Sequence, residues 1–149
     1  MITIALRFAD NFAPDCGTIS AHDQMISQYG YVWYGKMGGA VSKSTAQLVM
    51  NNPEPKILLI HSGRQDRYWA YVDDIVWATP PLDMIPEYYR DNNERFKTWF
   101  RVRALEPAEK KVMSNCTVVS SGALLTEASK RSLSPFFVIR YSSEMDSNS

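Results

Sequence analysis

The sequence predicts an α+β fold, a small curved mixed β-sheet or open β-barrel flanked by about three helices. Three observations lead there. Stretches with period-two alternation recur along the chain, and helical spacing separates some of them. The expected order, β-α-β-α-β-β-β-(β)-α-β, places hairpins among the strands instead of a strict strand-helix repeat. Finally, 149 residues with 45% apolar and 21% charged side chains suit one globular unit, here assigned to residues 1–141, with a polar tail at 142–149 expected to be disordered.

Each element has a local cause. Ile2, Ile4, Leu6 and Phe8 share one face of a first strand. Ser20-Ala-His-Asp23 resembles a capping box, Met25, Ile26 and Tyr29 follow at helical spacing, and Gly30 ends that helix. Tyr31 to Tyr34 is β-prone, and Gly35, Gly38 and Gly39 are expected to break it into a loop. A second helix starts near Ser42 or Ser44 and stops at Asn51-Asn-Pro53. Lys56 to Ser62 is a nearly continuous apolar run, read as a strand buried on both faces. A polar turn, Arg64 to Arg67, leads to a long strand from Tyr68 to Thr79, closed by Pro80-Pro81. Residues 82–95 are polar and irregular and are read as a surface excursion. Lys97 to Leu105 is a strand with Thr98, Phe100, Val102 and Ala104 on one side and Lys97, Trp99, Arg101 and Arg103 on the other. Val118-Val119 is a brief strand, Ser121 caps a helix holding Leu124, Leu125 and Ala128, and Pro135 to Tyr141 is the last strand.

Composition narrows the function classes. Lys plus Arg equals Asp plus Glu at 16 each, so nucleic-acid binding has to come from a local patch. No apolar run approaches the roughly 20 residues of a membrane span, and no membrane partner is expected. Cys16 and Cys116, without a secretion signal, read as two separate reduced thiols of a cytoplasmic protein. His22 and His61 lack Cys, Asp or Glu partners at zinc-site spacing, so no metal is expected. No glycine-rich phosphate loop or nucleophile elbow occurs, and neither a cofactor nor a catalytic set is assigned.

The aromatic and basic residues are more informative. Trp33, beside Tyr34, precedes the glycines and Lys36 at the mouth of the sheet, while Trp69 sits inside a long strand where core packing competes with ligand contact. Trp99 shares its strand face with Arg101 and Arg103, an interleaving that suits either a nucleic-acid backbone or a solvated outer face. Arg64 on the hairpin turn extends this basic rim.

In this order the residues resemble the YTH and EVE domains of the PUA-like superfamily, small β-barrel modules that bind modified bases. Ile2 to Phe8, the His22 helix and Tyr31-Val-Trp-Tyr34 are similar to the first strand, helix and tryptophan-bearing strand. Ser44 to Met50, Pro55 to Gly63 and Tyr68 to Val72 are similar to the second helix and central hairpin. The resemblance implies that Trp33 is a cage tryptophan, that Ser62 lies on the strand lining the pocket, and that Tyr88 or Tyr89 is a second cage aromatic. The loop 82–96 contains no tryptophan, a departure from YTH domains, and the C-terminal stretch is nearer to the EVE or ASCH-like pattern.

The expected function is therefore a nucleic-acid-binding module that recognises a modified nucleobase in an aromatic pocket. The base would be single-stranded or flipped, stacked on Trp33 and flanked by Lys36, Arg64, Arg101 and Arg103 as phosphate cations. Two alternatives stand beside it. One is an ASCH-like small hydrolase acting on a nucleoside or nucleic acid, with Lys36 or Lys56 and Glu87 as its acid and base. The other is a protein-interaction module of a bacterial defence or toxin system. A homodimer is conceivable through the last strand if that strand lies at an edge.

Overall fold

A computed structural model describes residues 1–10, 13–132 and 134–142. The described residues form seven strands, β1 (Ile2–Phe8), β2 (Val32–Met37), β3 (Lys56–His61), β4 (Arg67–Val76), β5 (Phe96–Pro107), β6 (Cys116–Val118) and β7 (Phe136–Tyr141), with helices α1 (Thr18–Tyr29), α2 (Lys43–Met50) and α3 (Leu125–Arg131). All seven strands join one sheet in the order β2-β5-β4-β3-β1-β7-β6. Only β1 and β3 run parallel, with Ala5 opposite Leu58 and Arg7 opposite Ile60; the other pairs are antiparallel. Because β2 and β6 end the order without pairing, the sheet stays open and does not close into a barrel. The last strand is no edge: β1 flanks β7 on one side and β6 pairs with its residues Ile139, Arg140 and Tyr141 on the other, so the edge position that pairing across a dimer called for is not met.

The core follows strand parity. Ile4, Leu6 and Phe8 of β1 join Ile57 and Leu59 of β3 on the face covered by α1 and α2. Ala5, Leu58 and Ile60 point the other way, into a second core with Leu125 of α3 and the 3-10 turn Val112–Asn115. β3 is thus buried on both faces, as its unbroken apolar run requires. Asn52 on the connection after α2 donates to the Ile2 carbonyl at 2.8 Å, fixing that helix against β1.

Several local expectations are corrected. α1 begins at Thr18 behind Gly17, with no side-chain cap from its own segment; instead Asp10, at the end of β1, accepts from the Thr18 amide at 2.9 Å. A long-range carboxylate therefore replaces the expected capping box. β2 runs through Gly35 to Met37, because a Cβ at Gly35 would lie 2.8 Å from the Phe96 and Trp99 rings. This glycine serves a close approach inside a strand. α3 starts at Leu125, and Ser121 instead accepts from the Ala123 amide in the preceding turn.

The largest correction concerns residues 82–95. They form 3-10 turns, Leu82–Met84 and Glu87–Arg95, whose Ile85 and Tyr89 pack with Trp33, Phe96 and Trp99 in a third core. Trp99 is completely buried, so the predicted outer stripe on β5 is interrupted at its aromatic residue. The strand parity was right, but the 3-10 segment covers that face.

Cys16 is exposed and Cys116 buried, and both are free thiols. Among the described residues no helix is long and apolar enough to cross a membrane, and no group of His, Cys, Asp or Glu is arranged to hold a metal ion. Residues 143–149, most of the expected tail, lie outside the described residues.

Candidate functional site

The open seam of the sheet contains a cavity of about 250 Å³. Its walls come from the end of β1 (Leu6 to Ala9), Thr18 of α1, Tyr34 to Met37 of β2, and Tyr88, Tyr89 and Phe96 around the second 3-10 turn. The curl of the sheet brings the free edge of β2 toward the start of β7, where the Lys36 ammonium lies 4.8 Å from the centre of the Phe136 ring. Asn92 and Arg95 also line the cavity and are exposed, which places them at its mouth.

The lining is aromatic and cationic. Phe8, Tyr34, Tyr88, Tyr89 and Phe96 supply rings; Arg7, Lys36 and Arg95 supply charge, and among the described residues no carboxylate lines the cavity. Arg7 is already engaged, donating to the carbonyl oxygens of Ser129, Ser132 and Ser134 at 2.6, 2.8 and 3.1 Å. Lys36 is 5% exposed and donates to the carbonyls of Gly39 and Met37 at 2.6 and 3.1 Å. Burial pulls its ammonium below the ordinary lysine range. Arg95 makes no ion pair among the described residues.

Behind one wall lies His22, with its ring centre 5.2 Å from that of Tyr34 and 5.4 Å from that of Tyr89. Nδ1 sits 2.8 Å from the Thr18 carbonyl oxygen. Since a carbonyl can only accept, Nδ1 carries the proton in the neutral ring, and Nε2 is left as a bare acceptor, buried without a partner. Burial lowers the His22 pKa to about 4, outweighing the opposing bond to Thr18. Burial likewise raises Tyr34, Tyr88 and Tyr89, so the phenols stay protonated. The Tyr88 hydroxyl completes no hydrogen bond, although the Tyr89 and Thr18 hydroxyls lie near enough to act on its acidity.

A second polar hub braces the β1 wall. His61 stacks on Phe8 with ring centres 4.6 Å apart and planes at 18°. Its Nε2 lies 2.7 Å from the Asp10 carboxylate and its Nδ1 3.4 Å from Asp66. Burial works to raise the Asp10 pKa, but the Thr18 hydrogen bonds and His61 together lower it. Sequence spacing offered His61 no zinc-type partner set and gave no sign of these acidic neighbours; the fold brings Asp10 and Asp66 to His61 from two different connections.

Of the residues predicted to bind ligand, Tyr34, Lys36, Tyr88 and Tyr89 line this cavity together. Trp33 packs behind it against Ile85, Tyr89, Phe96 and Trp99. Ser62 and Arg64 are exposed on the β3–β4 turn. Trp69 is buried in the second core, with the Lys56 ammonium 4.3 Å from its ring centre. Arg101 lies 3.8 Å over the Tyr31 ring and pairs with Asp73 at 2.8 Å; Arg103 approaches Glu54 at 3.8 Å. Glu87, offered as a hydrolytic partner for Lys36, is exposed and does not line the cavity. Sequence reasoning missed Phe8, Thr18, Arg95 and Phe96. Phe8 had been read only as a strand residue and Phe96 as the end of the 82–96 loop, and nothing in the spacing placed either beside Lys36.

A family model described as Pua-like matches residues 4–137. No curated protein and no solved structure matches the chain significantly.

Proposed function

The chain belongs to the Pua-like family, whose members commonly bind RNA, and from that premise we propose that its cavity receives one modified nucleobase presented by a nucleic-acid strand. The observation that carries this reading is the aromatic cavity at the open seam, about 250 Å³ in volume. Ordinary small-molecule pockets span roughly 300–1,000 Å³. A space just below that range suits a single ring system better than a larger ligand. Rings of Phe8, Tyr34, Tyr88 and Phe96 offer stacking and edge contacts, and stacking on an aromatic contributes about 1–3 kcal/mol per base. A methyl group on the base would gain about 0.8 kcal/mol if it reached the apolar wall, roughly a fourfold preference. Arg95 at the mouth supplies positive charge for the strand outside.

The test is calorimetric titration with short single-stranded RNA and DNA, unmodified and base-methylated, and with the corresponding duplexes. Saturable binding of a single-stranded form, tighter for a methylated one, is the expected result. Absence of binding to every oligonucleotide would overturn the proposal.

A further inference from the structure

A buried charge normally has a counter-charge, because removing an ion from water without one is expensive. Lys36 departs from this rule. It is 5% exposed, it lines the cavity together with Arg7 and Arg95, and among the described residues no carboxylate lines that cavity. No ion pair involves it among the described residues. An ammonium has three N–H donors; two go to the Gly39 and Met37 carbonyls, which supply dipoles but no negative charge. The Phe136 ring, 4.8 Å away, adds a weak cation–π contact. Among the described residues the third donor and the charge itself have no acidic or hydrogen-bonding partner.

Resting on the reading of this cavity as the binding site, we infer that its ligand carries an anionic group, a phosphate or a carboxylate, that docks on the Lys36 ammonium within the cavity. The ligand is then a nucleotide whose phosphate reaches inward or a base that bears an acid, and a neutral free base lacks half of the recognition. The two carbonyls hold the ammonium in place beforehand, so the anion meets an oriented donor. Charge-assisted hydrogen bonds are about twice as strong as neutral ones. Lys36 therefore serves as the charge-reading residue of the site, while the aromatic lining supplies contact with the ring.

The experiment compares three probes on the wild-type protein: neutral nucleosides, nucleoside 5′-monophosphates, and nucleosides carrying a carboxylate on the base. At least one anionic series is expected to bind tenfold or more tightly than its neutral counterpart, and whichever series does so identifies the source of the anion. Lys36→Met should bring the affinity for that anionic series down to the level of its neutral counterpart. Its thermal midpoint should hold or rise, since an uncompensated buried charge is deleted. Should Lys36→Met not fold, Lys36→Gln keeps an amide donor for the two carbonyls and is measured in its place. Equal affinity for neutral and anionic probes in the wild type, or an anionic preference that persists in the neutral variant, would sink the inference while leaving base binding standing. Failure of nucleotides and oligonucleotides alike would instead remove the reading of the cavity itself.

Discussion

The imidazole of His22 lies between Tyr34 and Tyr89, 2% exposed, with one nitrogen bonded to Thr18 and the other unpartnered. Its folded-state pKa of about 4 stands below the ordinary 6.5. In the unfolded chain the ring takes up a proton as pH falls through 6.5, whereas the folded chain resists until about 4. The unfolded state therefore binds more protons across that window, and stability declines as pH is lowered through it, by a total of about 3 kcal/mol. Asp10, whose pKa lies below 3.8, loses its own contribution only under still more acidic conditions. Urea unfolding between pH 4 and 7 should show this decline in the wild type and a flatter profile in His22→Phe, which keeps the ring contacts; parallel profiles would rule His22 out as the source. Single residues were the least legible part of the sequence. His22 was placed on the first helix with no sign of its burial, because that burial depends on rings contributed by β2 and by the turn after Pro86. Trp33 and Trp99 were correctly placed on their strands, yet their surroundings, and so their availability to a ligand, come from residues 85–96, distant in sequence from Trp33.

At the scale of elements the sequence was far more informative, because strand parity and glycine stops are local. β1, β3 and the Gly30 end of α1 were all readable from periodicity and turn chemistry. What local pattern cannot convey is how elements are tied to one another. Arg7, on the face of β1 opposite Leu6 and Phe8, sends its guanidinium to the carbonyls of Ser129, Ser132 and Ser134, holding the end of α3 and the approach to β7. Its planar group also lies 5.6 Å over the Phe137 ring. Hydrogen bonds from a charged donor contribute about 1.5–3 kcal/mol each when measured singly. Since these three share one guanidinium, Arg7→Met should lose on the order of 3 kcal/mol in total. The denaturation midpoint measures that loss. Amide exchange should quicken first along α3 and the start of β7, and uniform loss of protection across the sheet would argue against a local clamp.

For the whole molecule, the order of elements was legible and the closure of the sheet was not. An open sheet and an open barrel have the same periodicity; the difference is whether β2 finds a partner, and in this fold its free edge faces the cavity. Charge was similarly half-visible. The balance of 16 against 16 predicts no global attraction to polyanions, but it does not say which cations remain unpaired. Arg101 is held by Asp73 and Arg103 faces Glu54; of the three cations lining the cavity none has an acidic partner among the described residues, and because Arg7 already spends its guanidinium on three carbonyls, Lys36 inside and Arg95 at the mouth are the two with donors to offer. A protein that binds single strands through many phosphate contacts loses affinity steeply with salt, by a slope of about −0.7 per phosphate in a log–log plot. If the strand's charge is read at the cavity alone, two cations there predict a slope of about −1.4. Repeating the strand titration from 50 to 300 mM salt should therefore give a shallow line. Arg95→Glu, at an exposed position, should reduce the slope by about one contact without shifting the unfolding midpoint. A slope several times steeper would mean that the strand runs over Arg101, Arg103 and the outer face of β5, and that the cavity is not where its charge is read.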